Sequence, residues 1–296
     1  MKLNDVYEYD VITNKIIFAD GVTRTGKALL NSLLTGFEET SSIQFINILE
    51  QLMPMYIQGQ MSKNAMSACL RLYFNENFYN YMLSRNLNFR YDDLTSIHNT
   101  KSPKEFYNNL SKNDGDSVIG ELNEDKLFFQ YQTHDLLTHY SSFLDLNIDA
   151  YVIELFRNPI DTIHSWYVRG WGTRFDNADP RSGTTLFKYK GHCLPHYVLG
   201  HEELYLQLNE MEKCVFMHNL LVGKSIEEYK KLTNPEKAKI HLLKYEDLLS
   251  KPLEELNRIA EFFNFSMSSY MSVALGNAQV PKDIDLESRN KKLEKI

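Results

Sequence analysis

Four short apolar segments, separated by stretches with helical periodicity, constrain the fold of this chain most strongly. Each segment is rich in Ile, Val, Phe or Tyr and is followed by polar or turn residues, which predicts a buried strand. Near-continuous apolarity of this kind is typical of parallel strands that are covered on both faces. The segments are KIIFA (15–19), LFFQYQ (127–132), AYVIELF (150–156) and KIHLLKY (239–245).

The stretches between these segments carry the spacing of amphipathic helices. After the first segment, apolar residues recur at helical intervals at Leu29, Leu30, Leu33, Leu34 and Phe37. After the last segment, a helix start and one apolar stripe are marked by Ser250, Pro252, Leu253, Leu256, Ile259, Ala260 and Phe263. This alternation predicts an α/β fold, a three-layer sandwich with a mainly parallel, P-loop-like central sheet. Ligands of such sheets bind at the carboxyl ends of the strands.

The length and composition favour one globular unit. The chain has 296 residues, of which 43% are hydrophobic, which is enough for a substantial core. We predict a single domain over residues 1–296, with helical and loop insertions at about 43–111 and 168–220, and residues 168–200 are expected to be loops. The net charge of −7 indicates no basic face for nucleic acid, so any anion site must be local.

The cysteines and the start of the chain indicate the cellular setting. Cys69, Cys193 and Cys214 are far apart and form no CxxC pair, so neither a disulfide framework nor a zinc site is predicted. The acidic first twenty residues and the lack of an apolar run of ~20 residues argue against a secretory signal and a membrane span. We therefore expect a cytoplasmic protein without a membrane anchor. The sequence does not specify an oligomeric state.

The loop after the first predicted strand has the pattern of a phosphate-binding loop. Gly21 to Lys27 fits GxxxxGK between a strand and a helix, although such patterns also occur in ordinary glycine turns. The glycines let the backbone approach phosphate oxygens, and Arg24 and Lys27 add positive charge to the N–H groups of the helix start. Ala28 stands where an NTPase has the hydroxyl that holds Mg²⁺, which argues against metal-assisted phosphoryl transfer.

A second candidate element, ELFRNPIDTIHSWY, follows the third predicted strand. Arg157 stands at the strand's end, Asp161 is placed to cap the next helix, and Ser165 lies on that helix. An arginine at a strand end and a serine on the following helix can converge on one phosphate. By itself, the segment is better explained by a surface arginine and a helix serine without a ligand.

Together with FFQYQTHDLL and KYEDLLSKPLEELNRIAEFFNF, these elements resemble the sulfotransferases that use 3′-phosphoadenosine-5′-phosphosulfate. The four segments occur in the family's order over residues 15–265. The family has a strand–loop–helix for the 5′-phosphosulfate, an Arg-x-Pro element with a serine eight residues later, a strand ending in a catalytic histidine, and a Tyr-Glu-Asp-Leu element.

The resemblance implies a role for each matching residue. Arg157 and Ser165 would hold the 3′-phosphate, and Tyr245 would lie near the adenine. The full set of implied nucleotide contacts is Arg24, Thr25, Gly26, Lys27, Ala28, Arg157, Ser165 and Tyr245. Lys27 and Ala28 depart from the family, which often has hydroxyl residues at these two positions.

The resemblance also implies a catalytic set made of His134, Arg24 and Lys27. His134 would be the general base that takes the proton of a hydroxyl or amine acceptor, so the rate should fall as the pH drops through the imidazole pKa. Arg24, helped by Lys27, would stabilise the transferring group without a metal ion. We expect Arg24, His134 and Arg157 to face one cleft at the carboxyl edge of the sheet. Gln132 stands where many members have a second catalytic lysine.

Other interpretations stay open at the level of the sequence. A P-loop kinase or NTPase would need a Mg²⁺-binding carboxylate, for which Asp247 is the only candidate, and a non-catalytic nucleotide-binding protein of the same fold would explain Gln132. Small-molecule, carbohydrate and lipid hydroxyls are all possible acceptors. The basic residues near the C-terminus fit a solvated charged tail better than the family's basic C-terminal segment; they are Arg289, Lys291 and Lys292.

Overall fold

A computed structural model describes residues 6–113, 115–124, 127–176 and 183–296. Its centre is a five-stranded sheet in the order β2-β3-β1-β4-β7, and every pairing in it is parallel. The strands are β1 (Ile16–Asp20), β2 (Gln44–Phe45), β3 (Phe129–Gln132), β4 (Tyr151–Phe156), β5 (Leu186–Tyr189), β6 (His192–Pro195) and β7 (Ile240–Lys244). The predicted α/β sandwich with a mainly parallel sheet is confirmed, and β1, β3, β4 and β7 each begin within two residues of the predicted position.

Helices flank this sheet on both sides. In chain order they are α1 (Lys27–Leu34), α2 (Asn47–Ile57), α3 (Lys63–Met82), α4 (Pro103–Asn109), α5 (Asp116–Glu124), α6 (Tyr140–Leu144), α7 (Pro159–Tyr167), α8 (Trp171–Arg174), α9 (Glu202–Gln207), α10 (Glu210–Lys231), α11 (Asn234–Lys237), α12 (Tyr245–Ser250), α13 (Pro252–Phe263), α14 (Met271–Ala278) and α15 (Leu286–Leu293). Short 3-10 helices span Ile97–Asn99, Leu136–His139 and His196–Val198. In the described ranges, no helix has the length and apolar character needed to cross a membrane.

The two faces of the sheet are buried against different helices because successive side chains of a strand point in opposite directions. Ile17 and Ala19 of β1 pack against α1, α13 and α14. Ile16 and Phe18 pack against the other side, which is built mainly from α2, α3 and α6. Burial on both faces explains why the strand sequences are apolar throughout. A third apolar cluster joins α7, α8, the β5–β6 hairpin and α10 beside the sheet.

The region predicted as loops at 168–200 is more ordered than expected within its described part. It contains the short helix α8 and an antiparallel hairpin of β5 and β6. Tyr189 pairs with His192 across a two-residue turn in which Lys190 and Gly191 both have positive φ angles, 46° and 86°. A two-residue turn of this type needs residues that tolerate positive φ angles. Gly191 was therefore the one residue in the sequence that could have predicted the hairpin. β2 was also missed, since two residues carry no periodicity.

Two details of the predicted helices were wrong. Asn158, and not Asp161, caps α7, because its side chain accepts a hydrogen bond of 3.0 Å from the Ile160 N–H. Pro252 does occupy the first position of α13, but Leu253 in the predicted apolar stripe is 53% exposed. Helical spacing predicts which face of a helix is apolar, but it does not determine whether the first residue on that face is buried, because the chain enters the helix from solvent.

The C-terminal helix is fixed to the body by ion pairs, so the expected solvated tail is wrong for two of its three basic residues. Arg289 contacts Asp161 at 2.8 Å and Glu246 at 3.2 Å, and Lys292 contacts Asp161 at 2.7 Å. Burial alone would raise the pKa of Asp161, but hydrogen bonds from Lys292 and Arg289 hold that pKa below its usual value. Lys291 pairs only with Glu287 of its own helix among the described residues.

Candidate functional site

The loop between β1 and α1 has a backbone that only glycine can adopt at two positions. Gly21 has φ 127° and Gly26 has φ 106°, both far into the region that disfavours side chains. A Cβ atom on Gly21 would lie 2.2 Å from the Leu155 carbonyl oxygen, and one on Gly26 would lie 2.2 Å from the Tyr245 ring. The GxxxxGK pattern therefore reflects close backbone packing at the carboxyl edge of the sheet.

The backbone N–H groups at the start of α1 are free to bind an anion. Among the described residues, no acceptor contacts the N–H groups of Gly26, Lys27 or Ala28. No side chain caps this helix end, whose dipole favours negative charge. The Thr25 hydroxyl is used inside the loop, where it donates to the Val22 carbonyl at 2.9 Å. The side of the loop that carries Arg24 and Ala28 is exposed.

Arg24 and Arg169 converge on Ser165, and Arg157 joins them through the Arg24 backbone; we call Arg24, Arg157, Arg169 and Ser165 the arginine cluster. The Ser165 hydroxyl accepts hydrogen bonds from Arg24 Nε at 3.3 Å and from Arg169 Nη1 at 2.9 Å. Arg157 Nη1 donates to the Arg24 carbonyl at 3.1 Å. Burial, and then the charges of Arg169 and Arg157, lower the pKa of Arg24. No carboxylate of the described residues forms an ion pair with these arginines, so the cluster has the charge of an anion site.

Arg157 carries the clearest sign of an absent partner. Its Nε atom is buried and has no hydrogen-bond acceptor within the described part of the chain. Its guanidinium lies 4.5 Å from the centroid of the Tyr245 ring, which itself packs against Gly26. Tyr245 therefore contacts both Arg157 and the loop, and the buried Nε–H of Arg157 has no acceptor among the described residues.

His134 lies just beyond the end of β3 and is paired with a carboxyl group that the sequence analysis did not identify. Its Nδ1 atom is 2.6 Å from Glu50 Oε1, in the first turn of α2. Its Nε2 atom makes no hydrogen bond to a described residue. Burial and the charge of Lys27 lower the pKa of His134 well below its usual value, whereas burial raises the pKa of Glu50 to about 8.

Lys27 points away from the arginine cluster and into a group of buried carboxyls. Its side chain is 4% exposed, and its amine donates to the carbonyl of Gly21 and, at 3.0 Å, to that of Val22. Around it lie four acidic residues, which we call the acidic cluster: Asp20, Glu50, Asp135 and Glu154. Burial lowers the pKa of Lys27, raises that of Glu154 well above its usual value, and raises that of Asp135 to about 8.

These carboxyls do not form a metal site in the described part of the chain, where no group of three or more His, Cys, Asp or Glu side chains is arranged to hold an ion. Asp20 instead accepts a hydrogen bond of 2.9 Å from the Leu137 N–H. Gln132, at the position of the family's second lysine, accepts a hydrogen bond of 2.7 Å from Asn31 of α1. Both contacts tie the strand ends to neighbouring elements.

A cavity of about 290 Å³ lies beside His134. Its wall includes Glu50, Asp135, Trp171 and Tyr197, and it reaches Thr23 of the loop. Arg24 and Arg157 do not line it, so whether they share one cleft with His134 stays a prediction. The Trp166 indole, which also lines the cavity, donates to the Thr23 carbonyl at 2.7 Å and so connects the helix of Ser165 to the loop.

The structure thus links Arg24, Gly26, Arg157, Ser165 and Tyr245 through a series of pairwise contacts and adds two residues that sequence reasoning missed. Arg169 lies four residues after Ser165, a helical spacing that could have indicated it. Glu50 gave no signal, because it is 84 residues from His134 and an acidic residue in a first helical turn is ordinary.

Several solved structures to which this chain is similar are described as sulfotransferases. A sulfotransferase domain from the curacin biosynthetic pathway is 17% identical, with a TM-score of 0.46, and the match covers 86% of this chain and 76% of that one. Sulfotransferase STF9 from Mycobacterium avium is 12% identical, with a TM-score of 0.45 and coverage of 97% and 76%. The sulfotransferase domain of the Synechococcus PCC 7002 olefin synthase is 15% identical, with a TM-score of 0.44 and coverage of 86% and 75%.

The family of the chain is given by its sequence and not by these distant structures. No curated protein matches the chain significantly. The model of the sulfotransferase domain matches residues 22–285, which include the loop, His134, the arginine cluster and Tyr245. A match over most of the chain, with the predicted fold beneath it, means that this chain belongs to the sulfotransferase family.

Proposed function

We propose that this protein transfers a sulfonyl group from 3′-phosphoadenosine-5′-phosphosulfate to a hydroxyl or amine acceptor, with His134 as the general base. The observation that carries the proposal is the arginine cluster. The guanidinium groups of Arg24 and Arg169 meet around the Ser165 hydroxyl, and that of Arg157 bonds to the Arg24 carbonyl in the phosphate-type loop. No described carboxylate forms an ion pair with them. Family membership supports sulfonyl transfer in general.

The proposed nucleotide contacts divide between two ends of this region. The free N–H groups of Gly26, Lys27 and Ala28, together with Arg24, would hold the 5′-phosphosulfate. The unpaired Nε–H of Arg157 and the Ser165 hydroxyl would hold the 3′-phosphate. Arg169 fits the same phosphate, because it already donates to Ser165. Guanidinium groups suit phosphate because they present several N–H donors in one plane.

Tyr245 and Thr25 would also position the nucleotide-binding groups, a role that their contacts support. The Tyr245 ring packs on Gly26 and under Arg157, so it holds the two phosphate-binding elements at a fixed separation. Thr25 stabilises the loop through its bond to Val22. Preorganised groups of this kind lose little entropy when the ligand binds.

The contact with Glu50 supports the proposed base. When His134 Nδ1–H donates to the Glu50 carboxylate, the Nε2 lone pair is free to accept a proton. His134 would take the acceptor's proton as that oxygen bonds to sulfur and the bond from sulfur to the nucleotide's phosphate oxygen breaks. The lowered pKa of His134 keeps the imidazole neutral around pH 7. The raised pKa of Glu50 implies that the competent, ionised dyad increases with pH through about 8.

The remaining chemistry is electrostatic. The nucleotide supplies an activated sulfonyl group, and the protein contributes positioning and positive charge. Arg24 is exposed beside the free N–H groups and is placed to stabilise charge on the leaving phosphate. Direct help from Lys27 stays a prediction, since its amine already donates to two loop carbonyls. Those contacts support a bracing role for Lys27 beneath the loop.

The alternative P-loop kinase or NTPase lacks support from the site. Ala28 has no hydroxyl for Mg²⁺, and the amine that such enzymes use on phosphate is engaged below the loop. Asp247 lies on α12, after the edge strand β7, which β4 separates from β1. The protein could instead be a non-catalytic member of the same family, and an activity measurement distinguishes this alternative from the proposed enzyme.

The proposal is tested by nucleotide binding. Adenosine 3′,5′-bisphosphate at ~100 times its dissociation constant should stabilise the protein by about 2.7 kcal/mol without a metal ion. Arg157→Ala should weaken binding of the bisphosphate far more than that of adenosine 5′-phosphate, which lacks the 3′-group. Arg90→Ala, in an exposed arginine outside the site, is the matched control. Equal weakening of both nucleotides by Arg157→Ala, or a preference for ATP with Mg²⁺, would overturn the proposal.

A further inference from the structure

Several residues that line the cavity beside His134 carry buried polar atoms that the described protein leaves unpaired. Its volume of about 290 Å³ lies at the small end of the range of about 300–1,000 Å³ that is typical of ligand sites. Four of its lining residues carry a buried side-chain atom without a hydrogen bond to any described residue: Thr133 Oγ1, Asp135 Oδ1, His139 Nε2 and the Tyr197 hydroxyl. Buried polar atoms are normally paired, so several unpaired ones around one cavity indicate a ligand that supplies the partners.

Another wall of the same cavity is aromatic. The Trp171 ring stacks on Trp166 with 5.2 Å between the centroids, and both residues line the cavity. The faces of aromatic rings carry partial negative charge and attract C–H groups as well as apolar surface. A ligand that suits both walls therefore has C–H groups on one side and several hydroxyls around its edge.

The polar wall is largely uncharged at neutral pH. Burial lowers the pKa of His139 to about 2 and that of His196 to about 3, and it raises the pKa of Asp135 to about 8. Arg174, a cation of the wall, lies over the Trp171 ring and is already engaged in further contacts. Neutral donors and acceptors match neutral hydroxyls better than they match an ammonium or carboxylate group.

We infer that the acceptor is a small, uncharged, polyhydroxylated molecule with a ring of sugar size, an inference that rests on the proposed sulfonyl transfer. Its C–H groups lie against the part of Trp171 that Trp166 and Arg174 leave uncovered, its hydroxyls pair with Tyr197 and His139, and one hydroxyl faces His134. A phenol or a fatty alcohol would bury the same protein atoms without partners. Sites built to hydrogen-bond a substrate reject analogues that lack the matching groups.

The first test compares acceptors at equal concentration with labelled donor. Neutral monosaccharides and cyclic polyols are expected to give a kcat/KM at least ~100-fold above phenols and aliphatic alcohols of similar size. A phenol or alkyl alcohol that is the better substrate overturns the acceptor inference and leaves the proposed function intact. Failure to bind adenosine 3′,5′-bisphosphate, with no transfer to any acceptor, overturns both.

The second test removes one unpaired hydroxyl at a time. Tyr197→Phe should lower kcat/KM for the best polyol by about tenfold. Tyr140→Phe is the matched control, because the Tyr140 hydroxyl is also buried and unpaired among the described residues but does not line the cavity. Unchanged kinetics for a folded Tyr197→Phe protein, or equal losses in both variants, would contradict the inference. Thr133→Val provides the same comparison should Tyr197→Phe fail to fold.

Discussion

The arginine cluster and the acidic cluster lie at the same edge of the sheet, around one loop, yet they are built in opposite ways. The first holds three like charges with no described carboxylate to neutralise them, and two of its arginines, Arg24 and Arg169, are exposed. The second surrounds one buried cation, Lys27, with four acidic residues. The first has no counter-charge among the described residues, whereas the second surrounds its cation with carboxyl groups, of which Asp20, Asp135 and Glu154 each keep one oxygen without a described hydrogen bond.

This difference separates groups that bind from groups that hold the site together. Like charges that are left unpaired oppose folding, so a cluster that keeps them is a candidate for binding an anion. Buried charges that are paired internally are a weaker sign of function, because structural networks also shift pKa values. His134 and Glu50 lie where the acidic cluster meets the cavity. Changes in the two clusters should therefore affect different measurements.

The largest expected effect is on catalysis and concerns His134. Because general-base catalysis contributes about 10²–10⁴-fold, His134→Ala should lower turnover by a factor in that range while nucleotide affinity changes little. Single-turnover kinetics with labelled donor and isothermal titration with adenosine 3′,5′-bisphosphate measure the two quantities. His134→Gln controls for the lost volume. Full turnover in a folded, nucleotide-binding His134→Ala protein would show that another residue is the base.

Removing one cation from each cluster tests whether the two clusters differ in their contribution to stability. Lys27→Met leaves the buried carboxyls without their cation and should cost about 3–5 kcal/mol of unfolding free energy. The loss should be smaller at pH 5 than at pH 8, since the carboxyls can then bind protons instead. Arg24→Met should change the stability by no more than about 0.5 kcal/mol and weaken nucleotide binding. Urea unfolding at both pH values measures the unfolding free energy of each variant. If Lys27→Met and Arg24→Met lost equal stability, the two clusters would not differ in their structural role.

The two clusters also differ in how far the sequence could predict them. Arg24, Arg157 and Ser165 stand in local patterns, at strand ends and at a fixed spacing, and the same patterns predicted the parallel sheet. The acidic cluster draws on β1, α2, β4 and the segment after β3, so its members meet only through the fold. The same reason hid Glu50, and it explains why the buried contacts of Lys27 with the loop carbonyls could not be predicted from the local pattern.

A smaller effect concerns Arg169, the arginine that the sequence analysis missed. A hydrogen bond to a charged group contributes about 1.5–3 kcal/mol, so Arg169→Ala should weaken adenosine 3′,5′-bisphosphate by roughly 10- to 100-fold. Adenosine 5′-phosphate should bind as before. Arg169→Lys keeps the charge and should recover part of the affinity. If calorimetry shows that Arg169→Ala weakens both nucleotides alike, the arginine acts on the 5′-phosphate or through the fold, and not on the 3′-phosphate.

A change in pH dependence tests where the two clusters meet. Glu50 has its pKa raised from 4.5 to about 8 in the folded protein. Between these values the folded state binds more protons than the unfolded state, so this group's contribution to stability decreases as the pH rises. Glu50→Gln removes the titration. Relative to the wild type, it should gain about 1.4 kcal/mol of unfolding free energy per pH unit across that interval.

The same substitution separates the charge of Glu50 from its orienting hydrogen bond. The amide oxygen that Glu50→Gln introduces can still accept from His134 Nδ1–H, so turnover should persist, but the rise in kcat/KM through pH 8 should disappear because no carboxyl remains to ionise. Urea unfolding from pH 5 to 8 and a pH profile of turnover give two independent readings. Parallel stability curves for wild type and Glu50→Gln would mean that Glu50 titrates normally and that burial has not coupled it to His134. A retained rise through pH 8 would assign that ionisation to another group, of which Asp135, with a pKa also raised to about 8, is the nearest candidate in the acidic cluster.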